Sequence, residues 1–145
     1  MGQQRSRLAR GVMVATGALL FSAAIKAGEI NSGPDCSAIT DWPAQITQVR
    51  LNESGVAFPA STKITSTLVA SMKMNEKQRR DLQRARILDK QTLAMVGALY
   101  RQVYRITLLP PDSKAHIFIT TTLASDEECS VALLSIAEIA QELTN

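Results

Sequence analysis

Three groups of residues in the chain have the types and spacing for chemistry. The first is ASDEECS, residues 124–130, where Asp126, Glu127 and Glu128 stand directly against Cys129. A reactive thiolate wants a cationic or imidazole neighbour to favour its charged form, and adjacent carboxylates do the opposite. Zinc wants further Cys or His ligands, yet Cys36 is the one other cysteine and His116 the one histidine. The second group is Met72-Lys73-Met74. Two thioethers on alternate strand positions point the same way and suit Cu(I), although core packing accounts for Met72 equally well. The third is His116 itself, beside Lys114 in a turn and at the head of a β-branched run. A solvated histidine there fits better than a triad member, since nucleophilic catalysis needs a Ser or Cys close to its base.

No G-x-S-x-G elbow, phosphate-cradling glycine loop or H-E-x-x-H helix is present. A two-carboxylate hydrolase would have to draw on Asp112, Asp126, Glu127 and Glu128, and the sequence does not set any pair of them across a cleft. The expectation is therefore a non-enzyme, with no catalytic residues, no metal ligands and no cofactor.

The first residues change how the rest is read. MGQQRSRLARGVMVATGALLFSAAIKAG has a basic start (Arg5, Arg7, Arg10), an apolar run and then small residues, the layout of a secretory signal. The run from Gly11 to Ile25 falls short of the roughly 20 residues a membrane-crossing helix needs. Cleavage after Ala24 or Ala27 is expected, with the boundary taken at Ala27, so no stable span should remain. The paired arginine of a twin-Arg signal and the lipobox of a lipoprotein are both missing.

The whole chain carries 16 Lys and Arg against 13 Asp and Glu, but Arg5, Arg7, Arg10 and Lys26 all precede residue 28, which leaves 12 against 13 and a net of −1. The basic balance belongs to the signal, and nucleic acid is not an expected partner. Cys36 and Cys129 both lie beyond it, near opposite ends of what remains, and in an oxidising compartment they should pair. A bridge over so long a loop contributes about 4 kcal/mol on chain-entropy grounds.

About 118 residues suffice for one domain with one core. Aromatics are few there (Trp42, Phe58, Tyr100, Tyr104, Phe118), so aliphatic side chains must fill that core. Residues 28–44 are rich in Gly, Pro, Ser and Asp and read as an irregular lead-in, with the α+β domain over 45–145. QITQVRL (45–51) alternates as a strand, NESG (52–55) as a turn, and VAF (56–58) as the return of a hairpin. STKITSTLVASM (61–72) reads as a half-buried strand with Ile64, Leu68, Ala70 and Met72 at even spacing.

Asn75 caps a helix whose first turn holds Glu76, and Glu76 to Arg80 is an i,i+4 pair. Residues 91–98 fit helix or strand. A strand over 99–109, turn chemistry in PPDSKA (110–115) and a second run at 116–123 predict an antiparallel hairpin. IAEIAQEL, with Ile136, Ile139, Ala140 and Leu143 at helical spacing, predicts a C-terminal helix after a short strand or loop. The sum is a small α+β domain with an antiparallel sheet, one or two helices on one face and one disulfide.

A stapled domain of this kind works through its surface. The stretch from Lys73 to Lys90 holds Lys73, Lys77, Arg79, Arg80, Arg84, Arg86 and Lys90 against three acids, the strongest local charge in a chain otherwise acidic on balance. With the 110–115 and 124–130 loops it forms the expected contact region for another extracytoplasmic protein. The expected role is that of an exported, periplasmic or secreted binding protein, such as an inhibitor, a toxin-immunity factor or an accessory subunit of an envelope assembly. The rival is a periplasmic small-ligand or metal carrier using Met72, Met74 and His116.

Overall fold

The structure is a computed structural model that describes residues 33–111 and 113–141. The expected signal segment, residues 1–27, and Leu143 lie outside the described residues, as does Asp112. Four strands, β1 (Lys63–Lys73), β2 (Leu99–Leu109), β3 (His116–Ser125) and β4 (Ala132–Gln141), form an antiparallel meander in the order β1-β2-β3-β4. Helix α1 (Trp42–Glu53) precedes them, and α2 (Glu76–Arg84) and α3 (Lys90–Met95) fill the β1–β2 connection. The domain is α+β, as expected, and the 99–109 strand, the β2–β3 hairpin and the Asn75-capped helix all stand.

Two expected elements are different. Residues 45–51 are helical within α1, and no hairpin forms with 56–58. Pro43 in the first turn presets helical φ, and Pro43, Ala44, Thr47 and Leu51 are the buried positions, at helical spacing. The chain leaves α1 through Gly55 at φ 81°, and the Val56 amide reaches back to the Leu51 carbonyl at 2.9 Å. The alternation of Val49 and Leu51 with polar residues was misleading, because Val49 is exposed while Leu51 is buried.

Residues 132–141, expected to end as a helix, form β4. Ile136 pairs with Thr120 on the face that α1 covers, while Ile139 is inserted at a register shift beside Ile117 and Phe118. Their three-residue separation is a product of that bulge and not of a helical face. Residues 91–98, which the pattern left open, hold α3 over 90–95, started by Asp89, whose carboxylate accepts the Thr92 amide at 2.7 Å.

The core has two parts on opposite faces of the sheet. On the front face α1 packs over Tyr104, Ile106, Leu108 and Phe118, joined by Ile64, Leu68 and Ile136. Thr47 of α1 sits over the sheet centre, its hydroxyl 2.7 Å from both the Pro43 carbonyl and the Thr120 hydroxyl. The carbonyl can only accept, so Thr47 donates to Pro43 and Thr120 donates to Thr47. The lead-in from Gly33 to Asp41 crosses the same face. Gly33 lies flat on the Tyr100 ring, where a Cβ would fall 2.7 Å from Cγ. The Pro34 carbonyl accepts from Gln102 Nε2 at 2.7 Å, Gln102 accepts the Tyr104 hydroxyl at 2.6 Å, and Cys36 is bonded to Cys129.

The second part lies at one end of the outer face, where Leu82 and Leu88 meet Leu99 and Leu123, with Met74, Leu93 and Leu134 around them. The rest of the outer face is not covered by any helix among the described residues.

Candidate functional site

The acidic corner is structural. Ser125 Oγ accepts the amides of Glu127 and Glu128 at 3.3 and 3.1 Å, and the Ser125 amide donates to the Glu128 carbonyl at 2.9 Å. These bonds close the turn between β3 and β4. Asp126 accepts the Tyr100 hydroxyl at 2.8 Å, and that bond together with burial raises the phenol above its ordinary range. Cys129 follows directly and binds Cys36 across a sequence separation of 93. A disulfide of this kind implies an oxidising, extracytoplasmic location. The carboxylates border an open cleft of about 580 Å³ with Thr92, Met95 and Val96, but among the described residues no three His, Cys, Asp or Glu side chains are grouped closely enough to share a metal ion.

The residues of the carrier reading are far apart. His116 heads β3, its Nδ1 2.8 Å from Glu138 Oε1, with Phe58 edge-on at 5.2 Å and Phe118 stacked at 6.5 Å. Met72 stands at the other end of β1 on the outer face, and Met74 packs into the second core cluster. His116 is level with Leu108 and Met72 with Arg101, seven residues apart along β2, which is about 23 Å at 3.3 Å per residue. The structure does not bring these three together.

The basic stretch divides. Asn75 and Gln78 form the capping box that starts α2, and Lys77 and Arg84 both reach Asp81, at 3.0 and 3.3 Å. Those two cations, with the hydrogen bond from Lys77 the largest influence, hold the Asp81 carboxyl below its ordinary range. Glu76 meets Arg79 at 3.8 Å in place of the expected Arg80.

Arg79 is engaged as an internal tie. Its guanidinium donates to the carbonyls of Leu93, Val96 and Gly97 at 2.6, 3.3 and 2.8 Å, satisfying the open end of α3. Lys73 ends β1, Arg80 lies exposed on α2, Arg86 stands in the turn after α2 at φ 57°, and Lys90 opens α3. The two loops expected to join this stretch in one contact region lie at opposite ends of β3, about 30 Å apart along the strand.

The sequence reading missed the outer face of the sheet. The register puts Thr65, Thr67 and Met72 of β1, Arg101, Val103, Arg105, Thr107 and Leu109 of β2, and Ile117, Ile119 and Thr121 of β3 on that side. Bulges add to it. Val69 is the extra residue between Leu68 and Ala70, and Leu134 and Ile139 are the extra residues of β4. All three are aliphatic. Val69, Met72, Leu109 and Ile139 are 47, 44, 39 and 58% exposed.

Among the described strand residues, the charge that the register places on this face is of one sign. Lys63, Arg101 and Arg105 project there, whereas Glu138, the single carboxylate of the four strands, turns to the front and holds His116. Arg101 makes no ion pair with any described residue and stands between Met72 and Leu123. Strands written with alternating β-branched residues on both sides of β2 and β3 were the available signal for a sheet with a second apolar face.

The class defined here is a disulfide-stapled α+β domain with three helices and a four-stranded meander. No protein-family model matches the chain, no curated protein matches its sequence, and no solved structure matches its fold. Among the described residues no helix is long and apolar enough to cross a membrane.

Proposed function

We propose that the chain is an exported, non-enzymatic binding protein of the periplasm or the secreted fraction, and that its outer sheet face holds another protein. The observation that carries this reading is the outer face itself: aliphatic side chains at its rim, cations among them and no strand carboxylate. Exposed aliphatic side chains around a sheet face suit contact with a partner, and an arginine set among apolar neighbours is a frequent anchor of interfaces. The complementary partner presents aliphatic residues flanked by Asp or Glu. Such a role fits an inhibitor, an immunity factor or an assembly subunit.

The test is capture from envelope extract with immobilised mature protein, repeated with Met72→Glu/Ile139→Glu and with Arg80→Glu/Arg84→Glu. The outer-face variant should lose a partner that the wild type and the α2 variant both retain. A partner lost from the α2 variant and kept by the outer-face variant would move the contact to the basic helix and sink this reading.

A further inference from the structure

A second recessed site lies on the other side of the molecule, where the last turn of α1 meets the start of β1. Phe58, Ile64 and Leu108 wall a pocket of about 100 Å³, with Ala60 at its rim. Three neutral polar side chains also line it. Gln48 Nε2 is engaged with the Ala44 carbonyl at 3.2 Å, which leaves the amide oxygen for a ligand. The Asn52 amide, on an exposed residue, makes no hydrogen bond with the described residues, and Thr62 Oγ1 is a buried hydroxyl without a partner among them.

Size and charge decide what fits. Among the described residues no charged side chain lines the pocket, so its lining favours a neutral group over an anion, a cation or a metal. Cofactor and drug-sized sites start at about 300 Å³, well above this one. A cavity of about 150 Å³ takes the six carbons of benzene, so about 100 Å³ takes roughly four heavy atoms. That is one aliphatic side chain. Amide groups beside the pocket match the separate N–H donor and C=O acceptor of a peptide group, which a free hydrocarbon lacks.

We propose that this pocket seats a single Leu, Ile or Val side chain of a bound polypeptide, with Gln48 and Asn52 holding that residue's peptide groups. The inference rests on the reading that the chain binds protein, but it uses a face that the outer-sheet variants leave untouched. Loss of one contact therefore says nothing about the other.

The experiment is a titration of isotope-labelled mature protein with N-acetyl-leucine methylamide, followed by amide shifts, with N-acetyl-aspartate methylamide as the comparison. Binding in the millimolar range is expected for a probe of this size. Saturable shifts should centre on Asn52 and residues 58–62, and the aspartate probe should bind at least about tenfold more weakly, one unpaired buried charge sufficing for that. Ala60→Trp, at an exposed rim position, should abolish the leucine response. Asn52→Ala, on the solvent side of α1, should weaken it severalfold without disturbing the sheet resonances. Equal binding of the two probes, an unchanged response in Ala60→Trp, or no saturable shift with leucine in the wild type would each overturn the proposal.

Discussion

The two faces of the sheet are made by the same four strands and end in opposite conditions. The front is closed by α1, by the lead-in and by the disulfide, and its few polar groups are joined into chains, Thr120 to Thr47 to Pro43 and Tyr104 to Gln102 to Pro34. The outer face carries similar aliphatic content, enlarged by the bulge residues Val69, Leu134 and Ile139; among the described residues helices cover it at one end alone, and although Ile117 and Thr121 are buried between their neighbours, Val69, Met72, Leu109 and Ile139 stay exposed. Burial stabilises a side chain only when something lies on top of it, at about 25 cal/mol per Å² removed from water. The difference teaches that the front face determines whether the domain folds, and the outer face what it meets once folded.

The disulfide gives the sharpest way to break the front. Reduction, Cys36→Ser and Cys129→Ser should each cost about 2–4 kcal/mol in urea unfolding, and by similar amounts, because all three release the same loop. Cys36 is fully buried and Cys129 half-buried. A loss confined to Cys129→Ser, with binding abolished and stability kept, would restore the acidic corner as a chemical site.

Next is the pin between α1 and the sheet. Thr47→Val keeps the shape and leaves the Thr120 hydroxyl buried without a partner, a loss of about 1–3 kcal/mol. Thr47→Val/Thr120→Val should recover part of it, so the two changes will not add. Additive losses would mean that the hydroxyl pair does not connect helix and sheet.

The front face also sets the alkaline limit. Burial raises the Tyr104 phenol, whose hydroxyl donates to Gln102, far above its usual range. A group with a raised folded pKa contributes stability that is intact below its unfolded value, near 10, and declines as pH rises beyond it. Stability should therefore fall by up to about 1.4 kcal/mol per pH unit above pH 10 from this residue. Tyr104→Phe should flatten that decline. An unchanged slope in the variant would assign the alkaline loss to another group.

How much of this was legible in the sequence follows the same division. The β2–β3 hairpin was readable because Tyr100, Gln102, Tyr104, Ile106 and Leu108 keep strict alternation with no bulge between β2 and β3. The α2 start was readable because Asn75 and Gln78 act locally, and the disulfide because two cysteines leave one pairing. Strand β4 was lost where its bulges break the period of two, and α1 where its buried set includes Thr47 and Pro43, which no hydrophobic pattern scores. The β1 part of the outer face was missed for the same reason. The bulge at Val69 carries Met72 out of the inward series that begins with Ile64 and Leu68, a shift fixed by pairing across strands and not by neighbours in sequence.

The smallest effect on stability belongs to the outer face, and it separates the two faces most directly. Val69→Ser, Met72→Ser and Ile139→Ser remove aliphatic groups that already contact water, so each should change unfolding free energy by less than about 0.5 kcal/mol. Leu108→Ala on the front, 1% exposed, should cost about 2–5 kcal/mol for a similar loss of carbon atoms. Binding should invert the order. The triple outer-face variant should unfold with the wild type in urea and still fail to retain the partner, because interface anchors lose their energy with the side chain while the free protein is indifferent to it. If the triple variant unfolds early instead, those residues are part of the core, and the outer face is no more available for docking than the front.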